Sequence, residues 1–207
     1  MKLTQKKILS VFMLLLFSGS ILGMALDVIF KPNNTNDVTD TVILETSKGT
    51  IEIKLNSEKA PSTVANFENY VKIGFYDGLC FHRVMKDFVI QAGGFYANGT
   101  IKFPGNPIQI ESSNGLKNLK GTIAMARGSD PNSATSQFYI NIVDNPSLDY
   151  PSFDGYGYTV FGTVISGLDV VETIAEIPTG NMETQAGVMS DWPSEPVVII
   201  RAYMKEG

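Results

Sequence analysis

The sequence predicts a mainly β protein, a closed antiparallel β-barrel with two α-helices over its ends. After residue 41 most apolar segments are short and are separated by Gly, Pro and Asn, which is typical of strands joined by turns. Two segments instead place apolar residues at helical spacing. The composition, with 43% hydrophobic and 18% charged residues among 207, provides enough apolar side chains for one buried core.

Residues 1–30 differ from the rest of the chain and are typical of an export signal. Three lysines among the first seven residues precede a stretch without charge over residues 8–26. Small residues around Ala25 suit cleavage by a signal peptidase. The nineteen uncharged residues are also about enough to cross a bilayer as a signal-anchor helix, and this length favours an uncleaved anchor. Both interpretations predict an extracytoplasmic protein, either membrane-anchored or secreted.

Residues 31–41 are rich in Asn, Asp and Thr and are predicted to be a polar linker. The domain proper is predicted to cover residues 42–207. Asn33 and Asn98 each begin an N-glycosylation pattern, and the sequence leaves open whether either is modified.

The domain is predicted to begin with a β-hairpin followed by a helix. Residues 42–46 and 50–55 alternate in part, and Ser-Lys-Gly at residues 47–49 separates them, which indicates a hairpin. Pro61 suits the first turn of a helix. Apolar residues then recur at helical spacing until Gly74, which ends the helix.

From residue 79 onward the pattern changes to short strands. The predicted strands cover residues 79–84, 89–92, 122–126, 138–142, 159–165 and 196–204. Residues 168–177 predict the second helix, because Val170 and Ile174 fall on one face. Residues 178–195, which contain the only tryptophan, Trp192, are interpreted as a loop without an assigned role.

The sequence lacks the residues that most hydrolytic, phosphoryl-transfer and metal chemistry requires. It has no Gly-x-Ser-x-Gly elbow, no Walker A loop and no Gly-x-Gly-x-x-Gly opening a helix. Its single cysteine, Cys80, and single histidine, His82, cannot form a disulfide or a standard zinc site. Cys80 is predicted to be a small buried side chain, and His82 a buried, hydrogen-bonded structural residue. A net charge of −5 without a basic cluster in the domain argues against nucleic acid as a partner.

Three blocks of the sequence resemble the cyclophilin family of peptidyl-prolyl cis–trans isomerases. They are Phe81-His82-Arg83-Val84 with Asp87-Phe88-Val89-Ile90-Gln91-Ala92-Gly93-Gly94, then Gly121-Thr122-Ile123-Ala124-Met125-Ala126-Arg127 with Ser136-Gln137-Phe138-Tyr139-Ile140, then Val160-Phe161-Gly162. The resemblance covers about residues 42–204 and is closest to prokaryotic members. It implies an eight-stranded antiparallel barrel capped by two helices. It also implies isomerisation of X-Pro bonds in proline-containing polypeptides, without a cofactor. Together with the export signal, this predicts an isomerase that assists the folding of exported proteins.

The resemblance assigns catalysis to Arg83, Phe88 and Gln91. Rotation about an amide has a barrier of about 18–20 kcal/mol because it breaks C–N resonance, and no bond between heavy atoms has to change. The proline nitrogen of the twisted amide regains a lone pair, so a cation such as Arg83 aimed at it stabilises the transition state. Phe88 is expected to line the proline pocket. Gln91 is expected to bind the substrate backbone or to hold Arg83.

The other residues that the resemblance places in the substrate groove are Val89, Ala126, Arg127, Gln137, Tyr139, Leu148 and Tyr158. Tyr139 stands where many members have Phe and is expected to add a hydroxyl to the pocket wall. Tyr158 stands where many eukaryotic members have a histidine. Ser147 occupies the position of an aromatic residue, often Trp, that helps to bind cyclosporin, so weak cyclosporin binding is expected.

Two other classes of function remain open at this point. One is a peptide-binding or scaffolding module that keeps the barrel but has little turnover. The other is a purely structural surface protein. The intact groove residues Arg83, Phe88 and Gln91 favour the enzyme.

Overall fold

The computed structural model describes residues 39–207. The predictions for residues 1–30 and for most of the linker therefore lie outside the described residues. The linker was predicted to end at residue 41, but Thr41 is already the first residue of a strand. No helix within residues 39–207 has the length and apolar character that a membrane crossing requires.

The secondary structure consists of ten strands, two α-helices and one short 3-10 helix in the described part of the chain. The strands are β1 (Thr41–Thr46), β2 (Gly49–Leu55), β3 (Arg83–Val84), β4 (Val89–Ala92), β5 (Thr122–Met125), β6 (Phe138–Asn141), β7 (Val160–Ser166), β8 (Thr179–Thr184), β9 (Gly187–Pro193) and β10 (Ile199–Met204). The helices are α1 (Pro61–Lys72), the 3-10 helix (Pro146–Leu148) and α2 (Leu168–Ala175). Both predicted helices and the first hairpin are confirmed.

Eight strands form one curled antiparallel sheet in the order β10-β1-β2-β7-β5-β6-β4-β3, and β8 pairs only with β9. The two ends of the curled sheet meet just before β3 and β10. Cys80 and Val198 form an isolated bridge there, and the N–H of Phe81 donates to the carbonyl oxygen of Val197 at 2.9 Å. These bonds satisfy backbone groups that an open edge would expose. The predicted fold class is confirmed.

The interior of the curled sheet is an aromatic core to which α1 contributes Phe67. The fully buried ring of Phe67 lies 5.2 Å from that of Tyr76, 5.4 Å from Phe138 and 5.1 Å from Phe161, measured between centroids. Burial of one such ring contributes about 1.5–3 kcal/mol. The apolar face of α1 therefore covers the interior, as its helical spacing predicted.

Two predictions along the chain were wrong in detail. Only Arg83 and Val84 of the predicted strand 79–84 join the sheet, because residues 79 and 80 pair singly with two other segments. The predicted loop 178–195 contains β8 and β9. These two strands are mostly exposed on both faces, so they carry no alternating apolar pattern from which strands could be predicted.

Candidate active site

Nine of the ten predicted site residues line one surface pocket of about 130 Å³. The lining residues are Arg83, Phe88, Val89, Gln91, Ala126, Arg127, Tyr139, Leu148 and Tyr158. Gln137, the tenth, lies beside the pocket rather than in its lining. The blocks that are separate in the sequence thus meet at one place on the surface.

The alternation of side chains along β4 and β6 places this pocket on the outer face of the sheet. Ile90 of β4 and Phe138 of β6 belong to the interior core. Their neighbours Val89 and Tyr139 point to the opposite face, where they form a second apolar cluster that includes Leu148. The pocket therefore has an apolar floor that is separated from the main core by the sheet itself.

Arg83 supplies the cation of the pocket and is held by three neighbours. Its Nη1 donates to Oε1 of Gln91 at 3.4 Å, its Nη2 lies 2.9 Å from Sδ of Met85, and its Nε lies 3.3 Å from Oδ2 of Asp191. The guanidinium carbon is 5.9 Å from the ring centroid of Phe88. The side chain remains 33% exposed, so a bound ligand can reach it.

Gln137 acts on Arg83 through Gln91. The side-chain N–H of Gln91 donates to Oε1 of Gln137 at 2.9 Å, and Gln91 in turn accepts from Arg83. The close approach of the backbones at Gly93 brings the two amides together. Gly93 has φ +93°, and a Cβ there would lie 2.6 Å from the carbonyl oxygen of Ser136, so only glycine fits.

Arg127 also lines the pocket, but its guanidinium is bound to the protein. The side chain is 3% exposed and forms an ion pair with Asp154. Its Nε and Nη2 donate to the carbonyl oxygen of Gly157 at 3.0 and 2.8 Å, and its guanidinium carbon lies 4.5 Å from the ring centroid of Tyr158. The hydrogen bond from Arg127 lowers the pKa of Asp154 to about 2. Arg127 therefore fixes the wall of the pocket, and Arg83 is the more accessible of its two cations.

The hydroxyl of Tyr139 is held by a buried polar network that sequence reasoning missed. It donates to Oδ1 of Asn118 at 2.8 Å, and burial raises the pKa of Tyr139 well above its ordinary value. Asn118 also accepts from Asn141. Asn145 in turn donates to Oδ1 of Asn141 at 2.8 Å and to the carbonyl oxygen of Phe88 at 3.0 Å. A buried tyrosine hydroxyl usually has a hydrogen-bond partner, and this was the one sign of the network that the sequence offered.

His82 and Cys80 lie behind β3 and do not line the pocket. The prediction that His82 is buried is confirmed. The prediction that it is hydrogen-bonded is wrong, because neither ring nitrogen has a partner of normal geometry among residues 39–207. Its ring packs 4.8 Å from that of Phe95 and 6.2 Å from that of Trp192. Burial raises the pKa of the buried Cys80 thiol to about 12, so the thiol stays protonated and unreactive at neutral pH.

The arrangement is thus an apolar pocket beside one accessible cation. Within residues 39–207 no three His, Cys, Asp or Glu side chains are grouped as metal ligands. Such a site can bind an apolar ring and can direct N–H donors at an adjacent polar atom.

Residues 41–204 match the family described as cyclophilin type peptidyl-prolyl cis-trans isomerase/CLD. The chain belongs to the cyclophilin family. It is a peptidyl-prolyl cis–trans isomerase of class EC 5.2.1.8 and acts on proline-containing polypeptides. Of the three classes that the sequence left open, the enzyme is therefore the correct one.

Bacterial relatives support this assignment along almost their whole length. The cyclophilin is 49% identical over 164 residues to a peptidyl-prolyl cis-trans isomerase of Acinetobacter baylyi, a match that covers 79% of this chain and 85% of the relative. It is 46% identical to peptidyl-prolyl cis-trans isomerase B of Escherichia coli, over 80% of this chain and 99% of the relative.

A solved structure shows the same fold at low sequence identity. The crystal structure of a cyclophilin type peptidyl-prolyl cis-trans isomerase of Cryptosporidium parvum, in the presence of the dipeptide Ala-Pro, superposes with a TM-score of 0.66 at 24% identity. The match covers 81% of this cyclophilin and 99% of that chain.

Proposed function

We propose that this cyclophilin assists the folding of exported proteins outside the cytoplasm, and that Arg83 stabilises the twisted X-Pro amide. The placement of the Arg83 guanidinium beside an apolar pocket carries the catalytic part of the proposal. The charge pattern of residues 1–30 supports the location.

The proline ring of the substrate enters the pocket between Phe88, Tyr139 and Leu148. These apolar surfaces bind the ring equally well in the cis and trans forms, so they hold the substrate without favouring either product. Arg83 directs an N–H at the proline nitrogen, whose lone pair is available only when the amide is twisted. The interaction is therefore stronger in the transition state than in the ground state, which is the requirement for catalysis.

The neighbours of Arg83 and the pocket edge complete the site. Gln91 restrains the guanidinium and remains part of the pocket surface, where it can donate to or accept from the substrate backbone. Val89, Ala126 and Tyr158 supply the remaining walls. Arg127 contributes as a wall rather than as a mobile donor, because the protein already uses its N–H groups.

Replacement of Arg83 by alanine tests the catalytic role. We expect kcat/KM on an X-Pro peptide to fall about 100-fold, the scale found when a donor to the transition state is removed. A protease-coupled assay measures the rate, and NMR exchange measures it without a protease. Arg201→Ala is the matched control, because this exposed arginine packs on Tyr203 in β10. An Arg83→Ala variant as active as wild type would refute the role.

The location is tested with the full chain expressed in cells that export proteins. We expect the chain in the membrane fraction with its N-terminus intact, and the domain digested by protease added outside the cytoplasmic membrane. N-terminal sequencing of the membrane and soluble fractions distinguishes an anchor from cleavage after Ala25. Recovery of an intact chain in the cytoplasmic fraction would contradict the proposal.

A further inference from the structure

The β8–β9 hairpin brings a carboxylate, that of Asp191, to the catalytic cation. Oδ2 of Asp191 lies 3.3 Å from Nε of Arg83. We propose that Asp191 is a positioning residue, which sets the orientation of the Arg83 guanidinium for the twisted amide. This inference rests on the role proposed above for Arg83.

The burial of Trp192 places Asp191 at this position. Trp192 is 5% exposed and packs with Cys80 and Phe95, its ring 5.9 Å from that of Phe95. Because successive side chains of a strand point in opposite directions, the inward Trp192 turns its neighbour Asp191 outward, towards Arg83.

Backbone hydrogen bonds hold the tip of the hairpin to the rest of the domain and close its base. Near the tip, the N–H of Gln185 donates to the carbonyl oxygen of Gly99 at 3.0 Å. At the base, the N–H of Ser194 donates to the carbonyl oxygen of Pro178 at 2.8 Å, which joins the two ends of the hairpin to each other. These bonds and the packing of Trp192 give Asp191 a fixed strand from which to act, so its carboxylate can orient a longer and more flexible side chain.

The contacts of Arg83 explain what the carboxylate adds. A guanidinium has five N–H donors, and Asp191, Gln91 and Met85 each face a different one of its three nitrogens. One N–H on Nη1 and one on Nη2 are then left for the substrate. Without Asp191 the guanidinium can rotate about its Nε end, and the two donors lose their fixed direction.

The solvent exposure of Arg83 and Asp191 distinguishes a positioning role of Asp191 from a role in the stability of the fold. The side chains of Arg83 and Asp191 are 33% and 34% exposed, and ion pairs this exposed contribute little to stability. Loss of the pair should therefore change the rate of isomerisation much more than the stability of the fold.

The test is Asp191→Asn, which keeps the shape of the side chain and removes its charge. We expect kcat/KM to fall about tenfold, since misdirected catalytic groups lose rate steeply, with the loss in kcat and KM nearly unchanged. Asp191→Glu should recover part of the loss. The thermal midpoint and the emission of Trp192, the only tryptophan, should stay as in wild type. Glu195→Gln is the control, because it removes the same charge from an ion pair with Lys48.

Arg83→Ala and the double variant Arg83→Ala/Asp191→Asn separate this inference from the proposal on which it rests. We expect the second substitution to cause no further loss once Arg83 is absent. If Arg83→Ala is inactive and Asp191→Asn retains kcat/KM within twofold of wild type, or exceeds it, the positioning role of Asp191 alone is overturned. It is also overturned if Asp191→Asn shifts the Trp192 emission and Asp191→Glu recovers nothing. Full activity of Arg83→Ala overturns the role of Arg83 itself.

Discussion

Acid is expected to destabilise this cyclophilin through His82, the only histidine in the chain. The side chain is fully buried, and burial lowers its pKa from 6.5 to about 4. The unfolded chain takes up a proton near pH 6.5, whereas the folded protein does so only near pH 4. Between these values the unfolded state binds more protons, so the free energy of unfolding falls as the pH falls.

The size of the effect follows from the difference between the two pKa values. Each pH unit between them corresponds to about 1.4 kcal/mol, so about 3 kcal/mol is lost between pH 6.5 and pH 4. The full stability is present above pH 6.5, and His82 causes no further loss below pH 4. Since domains are commonly stable by about 5–15 kcal/mol, this one residue matters greatly in acid. The pKa of Asp154 is lowered to about 2, so its protonation affects the stability only below this pH range.

The assay is urea unfolding at pH 7, 6, 5 and 4, followed by Trp192 fluorescence and by circular dichroism. The comparison variant is His82→Phe, which keeps an aromatic ring beside Phe95 and Trp192 but does not titrate. Wild type should lose about 3 kcal/mol more than the variant from pH 7 to pH 4. The NMR signal of the imidazole gives the pKa in the folded protein directly.

If the free energy of unfolding depends on pH in the same way for wild type and His82→Phe, His82 does not cause the loss of stability in acid. The same conclusion would follow from an imidazole that titrates near pH 6.5 in the folded protein, because the burial seen around His82 would then not oppose its charge. In either case the loss of stability in acid would have to come from carboxylates.

Other predictions concern the pocket wall. Ser147 is exposed and offers no indole, so cyclosporin should inhibit the wild-type enzyme weakly and the Ser147→Trp variant more strongly. A sub-micromolar inhibition constant for wild type would contradict this. Asp154→Asn frees the guanidinium of Arg127, which fixes the wall, so KM for an X-Pro peptide should rise in steady-state kinetics. The control Asp40→Asn, at a half-exposed carboxylate paired with Lys54, should match wild type. Tyr139→Phe removes the bond to Asn118 and should cost about 1 kcal/mol in urea unfolding while kcat/KM is retained; an inactive variant would mean that the hydroxyl serves the substrate.

Most of the site could be predicted because its residues lie in short blocks that resemble those of the cyclophilin family. In β4, Ile90 is directed to the core and Val89 and Gln91 to the pocket, but Val89 and Ile90 are both apolar, so residue type alone does not distinguish the two faces. The resemblance to cyclophilins then indicated which face carries the function. Leu148 and Tyr158, which lie outside the blocks, also line the pocket.

The contacts that set the chemistry of the pocket could not be predicted in the same way. Asp191 is 108 residues from Arg83 and lies in a segment without an apolar pattern. The ion pair that binds Arg127 to Asp154 spans 27 residues, and neither residue type indicates which partner it will find. The packing of His82 against the rings of Phe95 and Trp192 also joins distant parts of the chain, and the sequence carries no sign of it.

The amino-acid sequence was enough to predict the fold class, both helices and most strands of the curled sheet, and its resemblance to cyclophilins indicated the residues that line the pocket. Periodicity and motifs involve residues that are close together along the chain, so they can be recognised in a single sequence. Only the folded structure shows which of the two arginines remains accessible, which carboxylate faces Arg83, and that the buried His82 packs against the rings of Phe95 and Trp192. These properties depend on contacts between side chains that are far apart along the chain, with Asp191 of the β8–β9 hairpin for Arg83 and with Asp154 for Arg127.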